Sequence, residues 1–448
     1  MKKILAIILV LIFAFSVAAC AAGETTQPTP TPADETTPAT DETDNNDDDD
    51  DNESPLVDDN GDDIDANDYP LAGIPVRIGA ITSLSGALQD YGEQFQRGFN
   101  LGLEYMTNGT NTVAGRPIEV IWEDTTNVPE VARERTLILL ENHEVEIVTG
   151  FAASGDAVAS LALFEEFETV AIIEPAAADA IISEGVWNEF VFRTGRTSGQ
   201  DALAMMSVLQ RNAAPGATVG AVAPDTTFGH AMVDPFISAV DSAGFDFIHA
   251  ELIPADATDF TPFLLRVREI APDYLYLIWA GANNPWAQLM ELDLISAGIT
   301  LITGAPELAA LQPMLPLAHA EAIGFCVYHH ELPQAEPMND WLVERHFEVH
   351  GTPPDIFTSG GMAAASAIIT ALELTNGETD HTILIPTLQG MEFNSPTGMR
   401  HFRPEDGQAI QNLFEIQFEY IAGREYAVPR FVRVIPPEDM PLPVMNGR

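Results

Sequence analysis

Residues 145–168, VEIVTGFAASGDAVASLALFEEFE, bring a hydroxyl and a set of backbone N–H groups to one turn. A short apolar strand, Val145 to Thr149, turns through Gly150-Phe151-Ala152-Ala153 and enters a helix at Ser154-Gly155-Asp156. The first N–H groups of a helix have no intrahelical acceptor, and the macrodipole adds positive potential there, so the turn suits an anion. Ser154 either offers its hydroxyl to that anion or simply caps its helix. Other predicted strand ends carry comparable groups. They are Ser83-Leu84-Ser85-Gly86 with Gln89-Asp90-Tyr91-Gly92, Glu174 to Asp179, Asp225-Thr226-Thr227-Phe228-Gly229, Ala280 to Trp286, and Ala305-Pro306-Glu307. Hydroxyls, helix starts, aromatics and a carboxylate together suit a small zwitterion or polar metabolite. A helix start would take a carboxylate, Glu307 an ammonium and the aromatics a side chain. Each residue also has a plainer role: Tyr91 and Phe228 as core, Glu307 as a first-turn acid, Asn283-Asn284 before Pro285 as a helix start.

Enzyme signatures are missing. No G-x-G-x-x-G follows the first strand, and there is neither a P-loop nor a G-x-S-x-G; the turn before Ser154 lacks the glycine a nucleophile elbow needs. Cys20 and Cys326 are the only cysteines, so no disulfide framework is possible. Cys326, in AIGFCVY, reads as a small buried hydrophobe. His329-His330, as strand neighbours, should point to opposite faces, and no Cys/His spacing calls for a metal. No cofactor is expected.

The elements that must position these groups alternate. Strands are predicted at Val76–Ile81, Ile118–Glu123, Val145–Thr149, Val170–Ile173 and Phe190–Arg193, with helices at Gly92–Met106, Pro129–Glu141 and after Ser154. A second series follows Thr197, with strands at Thr218–Ala223, Phe245–Leu252, Tyr274–Trp279, Thr300–Thr303 and Ile323–Tyr328. Its helices start near Gln200, Gly229, Thr261, Pro285 and Leu308. Repeated βα order predicts parallel, doubly wound sheets, and two such series predict two Rossmann-like lobes. Helices at Asp340–His350, Ser359–Thr375 and Thr382–Gln389 come next, then a polar hairpin over Gly398 to Tyr420 turning at Glu405-Asp406-Gly407.

The chain has 448 residues and a formal charge of −49. Such a surface argues against nucleic acid or anionic lipid as partner. Residues 24–68 alone hold 18 acidic and no basic residues. Residues 1–20 read as an export signal: Lys2-Lys3, an apolar run from Ile4 to Phe15, then Val17-Ala18-Ala19-Cys20. That last tetrapeptide resembles the lipobox of bacterial lipoproteins, which implies that Cys20 is acylated and anchors the chain. Residues 21–72, Thr/Pro-rich and then Asp-rich, read as a disordered tether. Within it, Asp58-Asp59-Asn60-Gly61-Asp62-Asp63 lacks the strict calcium-loop spacing.

From Pro75 to about Val434 the chain resembles the solute-binding proteins of branched-chain amino acid ABC transporters. This is the leucine/isoleucine/valine-binding type of the type I periplasmic binding fold. The matching pieces, in order, are IGAITSLSGALQDYG, GRPIEVIWED, VTGFAASG, FRTGRTSGQ, DTTFG, DATDFTPFLLRVREIAPDYLYL and GMRHFRPEDGQAIQ. The resemblance implies α/β lobes joined by three hinge crossovers, expected near Gly195–Gly199, Tyr328–Pro333 and Asn394–Gly398. Lobe 1 would be residues 73–196 with 329–397, lobe 2 residues 197–328 with 398–436, and 437–448 a tail. It further implies that Tyr91 packs on the ligand side chain and that Ser154 with Gly155 holds its carboxylate. The Ala176 backbone would meet the head group, Phe228 would face it from lobe 2, Glu307 would take the ammonium, and the loop with Asn283 would add an aromatic. The chain departs from the pattern twice: Ala178 stands where a threonine is usual, and Phe228 where a tyrosine is. Two lost hydroxyls weaken an α-amino acid unless Asn283, Asn284 or Glu174 replaces them.

The implied function is capture of a small amino-acid-like, carboxylate or amide solute outside the membrane and its delivery to an ABC permease. The protein would be a lipid-anchored monomer that catalyses nothing and binds no nucleic acid. Two alternatives stand beside it: a ligand-sensing receptor component of the same fold, and a hydrolase using Ser154.

Overall fold

The computed structural model describes residues 70–319, 322–333 and 336–446. The export signal, Cys20, and the tether up to residue 69 lie outside the described residues.

The first series builds a six-stranded sheet. Its strands are β1 (Val76–Thr82), β2 (Thr112–Val113), β3 (Arg116–Asp124), β4 (Ile147–Gly150), β5 (Val170–Ile173) and β6 (Val191–Arg193), in the order β2-β3-β1-β4-β5-β6. Apart from β2, every neighbouring pair is parallel, as repeated βα units require. The second series places β7 (Thr218–Asp225), β8 (Asp246–Pro254), β9 (Tyr274–Leu277), β10 (Thr300–Gly304) and β11 (Ile323–Cys326) in a seven-stranded sheet. Strands β12 (Glu392–Phe393), β13 (Arg400–Phe402) and β14 (Ala409–Ile410) form a small separate sheet. Strands β15 (Leu413–Glu419) and β16 (Val428–Ile435) then join the second sheet antiparallel at the β11 edge.

Helices cover both sheets. Those of the first are α1 (Gln89–Met106), α2 (Pro129–Leu137) and α3 (Ser154–Glu166). The second has α4 (Ser198–Asn212), α5 (Thr227–Ser242), α6 (Thr261–Ile270), α7 (Trp286–Glu291), α8 (Leu308–Leu311) and α9 (Leu315–His319). After the second passage come α10 (Pro337–His350), α11 (Ile356–Leu374) and α12 (His381–Leu388). Helix α11, IFTSGGMAAASAIITALEL, is apolar on all sides and long enough to cross a membrane, yet it is buried in the first lobe against α1. Glycines permit that approach: a Cβ at Gly98 would lie 1.9 Å from the Thr358 carbonyl oxygen, and one at Gly361 2.3 Å from that of Phe95. The result is an α/β protein of two doubly wound lobes, each with its own core.

The chain passes between lobes after β6 and after β11, near Gly195–Gly199 and Tyr328–Pro333 as expected. The third passage differs. Phe402 and Ala409 pack in the first lobe's core, where Phe402 meets Phe192 edge-on at 5.3 Å. Arg193 donates from Nε to Gln408 Oε1 at 2.6 Å. The hairpin at Glu405-Asp406-Gly407 therefore stays with lobe 1, and the crossing falls between β14 and β15, not at Asn394–Gly398. The expected tail is also no tail: Met440 sits in the second lobe's core, while Leu442 packs against that of the first. His329 and His330 lie beyond β11 in a turn, and their rings stack at 4.5 Å instead of facing opposite ways.

Candidate solute-binding cleft

The carboxyl ends of both sheets open onto one cavity of about 410 Å³ between the lobes. Parallel strands bring their loops to one edge, so residues far apart in sequence converge there.

Ser154 is the first residue of α3, with Ala153 in the cap position, and its side chain makes no capping bond. Instead its Oγ accepts the Ala178 N–H at 3.1 Å, which leaves the hydroxyl hydrogen to donate. Ser154 and Gly155 line the cavity, at the open N–H end of a 13-residue helix.

Tyr91 spans the cleft. From α1 its hydroxyl donates to Glu307 Oε2 at 3.1 Å and accepts the Gly281 N–H at 3.1 Å, both in the second lobe. Its ring lies 4.2 Å from that of Phe357. Burial pushes the Glu307 carboxyl up to about 7, and nearby Asp355 and Asp90 add to that. Asp355 closes the group, accepting the Leu308 N–H at 3.0 Å. Phe228 lines the opposite wall with Trp279 and Trp286. Helix α5 starts cleanly beneath it, because Thr226 Oγ1 accepts the Gly229 N–H.

Two of the expected residues do not face the cavity. Ala176 and Ala178 are fully buried behind its wall, which Pro175 and Ala177 supply instead. The Ala176 N–H goes to the Phe151 carbonyl at 3.1 Å, so it is not free for a head group. Both alanine carbonyls accept from Arg193 Nη1, at 3.4 and 2.8 Å. The loop thus holds Ser154 in place from behind. Asn283 does reach the cavity, but its amide donates to the Ala255 and Ala257 carbonyls, and its own carbonyl takes the Trp279 indole N–H at 2.7 Å. It shapes the aromatic loop. Asn284 Oδ1 accepts the Trp286 N–H at the start of α7, the plainer reading of that pair. Glu174 is no substitute for the lost hydroxyls: it is buried toward Gly360 and accepts from Thr194 Oγ1 at 3.0 Å.

Three charged residues of the wall escaped sequence reasoning. Arg196 pairs with Asp201 at 3.3 Å, and burial raises the Asp201 carboxyl to about 6 even beside the guanidinium. Asp156, in the first turn of α3, is likewise raised to about 6 by burial. The signal available was position: Arg196 follows a strand end, and Asp156 follows Ser154 by two residues. Cys326 is buried with its Sγ donating to the Tyr328 carbonyl, and burial pushes its thiol far up. Among the described residues no His/Cys/Asp/Glu group is arranged to hold a metal ion.

The model of a family described as "Periplasmic binding protein" matches residues 75–423. The chain is 24% identical over 346 residues to Leu/Ile/Val-binding protein homolog 6 of Brucella abortus (strain 2308), covering 76% of this chain and 86% of that protein. It is 34% identical to the crystal structure of an ABC-type branched-chain amino acid transporter from Rhodopseudomonas palustris CGA009, covering 83% of this chain and 100% of that one with a TM-score of 0.72. A solute-binding protein of an ABC transporter from Rhodopseudomonas palustris BisB5, solved with 3,4-dihydroxybenzoic acid, shares 22% identity and a TM-score of 0.70 over 81% of this chain and 97% of that one. That last likeness bears on the fold alone.

Proposed function

The chain belongs to the periplasmic binding protein family, and from that premise we propose that it captures a small amino-acid-like, carboxylate or amide solute for an ABC importer. The observation that carries this is the interlobe cavity bridged by Tyr91, with Ser154 at a helix start on one wall and Glu307 on the other. A carboxylate fits the Ser154 hydroxyl and the adjoining N–H groups, and an ammonium fits Glu307. Phe228, Trp279 and Trp286 suit an apolar side chain. Closing two lobes on a ligand in this way is hinge motion.

No histidine is among the residues lining the cavity, and the Ser154 oxygen is engaged with Ala178, which favours binding over hydrolysis. We further propose that Cys20 carries the lipid anchor on the outer face of the membrane, that the partner is an ABC permease, and that the protein acts as a monomer.

Native mass spectrometry of protein purified without refolding tests the reading, together with thermal shifts against amino acids, amides and aromatic acids. A retained or stabilising small molecule is expected, since ligand that binds only the folded state raises its melting temperature. Finding none by either route overturns the proposal.

A further inference from the structure

Resting on the solute-capture reading, we propose that Asp156 receives a positively charged nitrogen of the solute, so that the solute is basic: an amine or a guanidinium. Asp156 lines the cavity, is only 1% exposed, and its Oδ2 has no hydrogen-bond partner. Buried carboxylate oxygens are normally paired, and an unpaired one in a residue of the cavity wall is an acceptor awaiting a donor. A first-turn acid does complement a helix dipole, but that interaction needs no buried orphan oxygen.

The charges around the cavity point the same way. Arg196 is the one cation among its lining residues, and Asp201 already neutralises it at 3.3 Å. Asp156 and Glu307 remain, one from each lobe, and no other lysine or arginine is among the lining residues. Glu130 of α2 adds negative potential at Asp156, and the Thr125 hydroxyl favours its charged form. A cavity with this balance attracts a solute of net positive charge more than a neutral zwitterion. Trp279, Trp286, Tyr276 and Phe228 also line the cavity, and aromatic rings are favourable neighbours for a cation. An ordinary α-amino acid would meet Glu307 with its ammonium and leave Asp156 open, whereas a basic one satisfies both.

The test is titration calorimetry and thermal shift on the full chain. Agmatine and L-arginine serve as cationic probes, L-leucine and benzoate as probes without a basic side group. At least one cationic probe should bind, and Asp156→Asn should weaken it about ten- to a hundredfold, the loss of a charge-assisted hydrogen bond. Asp156→Ser, which keeps a polar residue in the first turn of the helix, serves where the asparagine variant does not fold. Cationic probes that bind the wild type and the variant alike overturn the role of Asp156. Binding of L-leucine or benzoate with no response to the cationic probes overturns the basic solute while leaving solute capture intact. Silence from all four probes overturns it too, and retained solute in native mass spectrometry then decides capture separately.

Discussion

Tyr91 is the residue on which closure turns, because one hydroxyl serves both a donor and an acceptor of the other lobe. Tyr91→Phe leaves the Gly281 N–H and Glu307 each short of a partner, and the closed form should lose about 1–3 kcal/mol. Solution scattering would show a more open ligand-free population; an unchanged profile would remove Tyr91 from the latch. Glu307 makes this contact sensitive to pH. Its folded value of about 7 lies above the ordinary 4.5, so the folded state holds the extra proton between those values. Stability from this group therefore falls as pH rises from about 4.5 to 7 and is level above that. His329, pushed down to about 3 by burial, acts in the opposite sense and costs stability as pH falls below 6.5. The difference between wild type and Glu307→Gln isolates the first effect: melting temperature against pH should slope less steeply downward across that window in the variant. Ser154→Ala strands the buried Ala178 N–H as well as removing a hydroxyl from the cavity, and should cost the free protein about 1–3 kcal/mol in urea unfolding. That Ser154, Tyr91, Phe228 and Glu307 would meet at one cavity was legible because strand-end loops converge wherever sheets are parallel. Ala176 and Ala178 were not, since nothing in a run of alanines says which one turns its back to the cavity. Arg196 and Asp156 were not singled out, because only their place in the cavity wall distinguishes them from other charged residues.

At the scale of elements, α1 and α11 show what periodicity tells and what it misses. The run from Ile356 to Leu374 is plainly a buried helix by composition, and its bounds lie close to those predicted. That it presses on α1 through Gly98, Gly102 and Gly361 is a three-dimensional fact, because the two helices are about 250 residues apart. Gly98→Ala would drive a methyl to 1.9 Å from the Thr358 carbonyl and force the helices apart. Overpacking of this kind costs about 1–3 kcal/mol or more, read as a lower urea midpoint at an unchanged slope. A midpoint equal to wild type would mean the helices have slack that the contact distance denies. Strands of the parallel sheets were legible from short apolar runs between turn residues. The edge strand β16 was not, since VPRFVRVI alternates arginines with apolar residues on a half-exposed edge and carries a proline. The third passage was misplaced for a related reason: the hairpin's polar surface hid Phe402, whose partners Phe192 and Phe393 lie elsewhere in the chain.

At the scale of the molecule, the segment after β16 adds a fourth tie between the lobes. Asp439 is held to Arg433 of the second lobe at 2.7 Å, and Met440 is buried in that lobe's core. Two residues on, Leu442 packs on the first lobe's core, and Arg403 donates to its carbonyl at 2.6 Å and to that of Pro443 at 3.1 Å. The Met445 carbonyl then accepts the Glu184 N–H at 2.8 Å. A hinge opens by rotation in a few flexible residues, so a short strap fixed at both ends limits how far it can go. Ending the chain after Pro436 should therefore widen the ligand-free distance distribution between spin labels on the two lobes, and speed release of solute from the closed form. Loss of the buried Met440 and Leu442 also lowers stability, so Arg403→Ala is the companion variant: it removes the Arg403 bonds to the Leu442 and Pro443 carbonyls and leaves the apolar anchors in place, while its own stability cost comes from the buried Asp406, which loses its ion-pair partner. A distance distribution identical to wild type in both would mean that the segment lies across the hinge without restraining it.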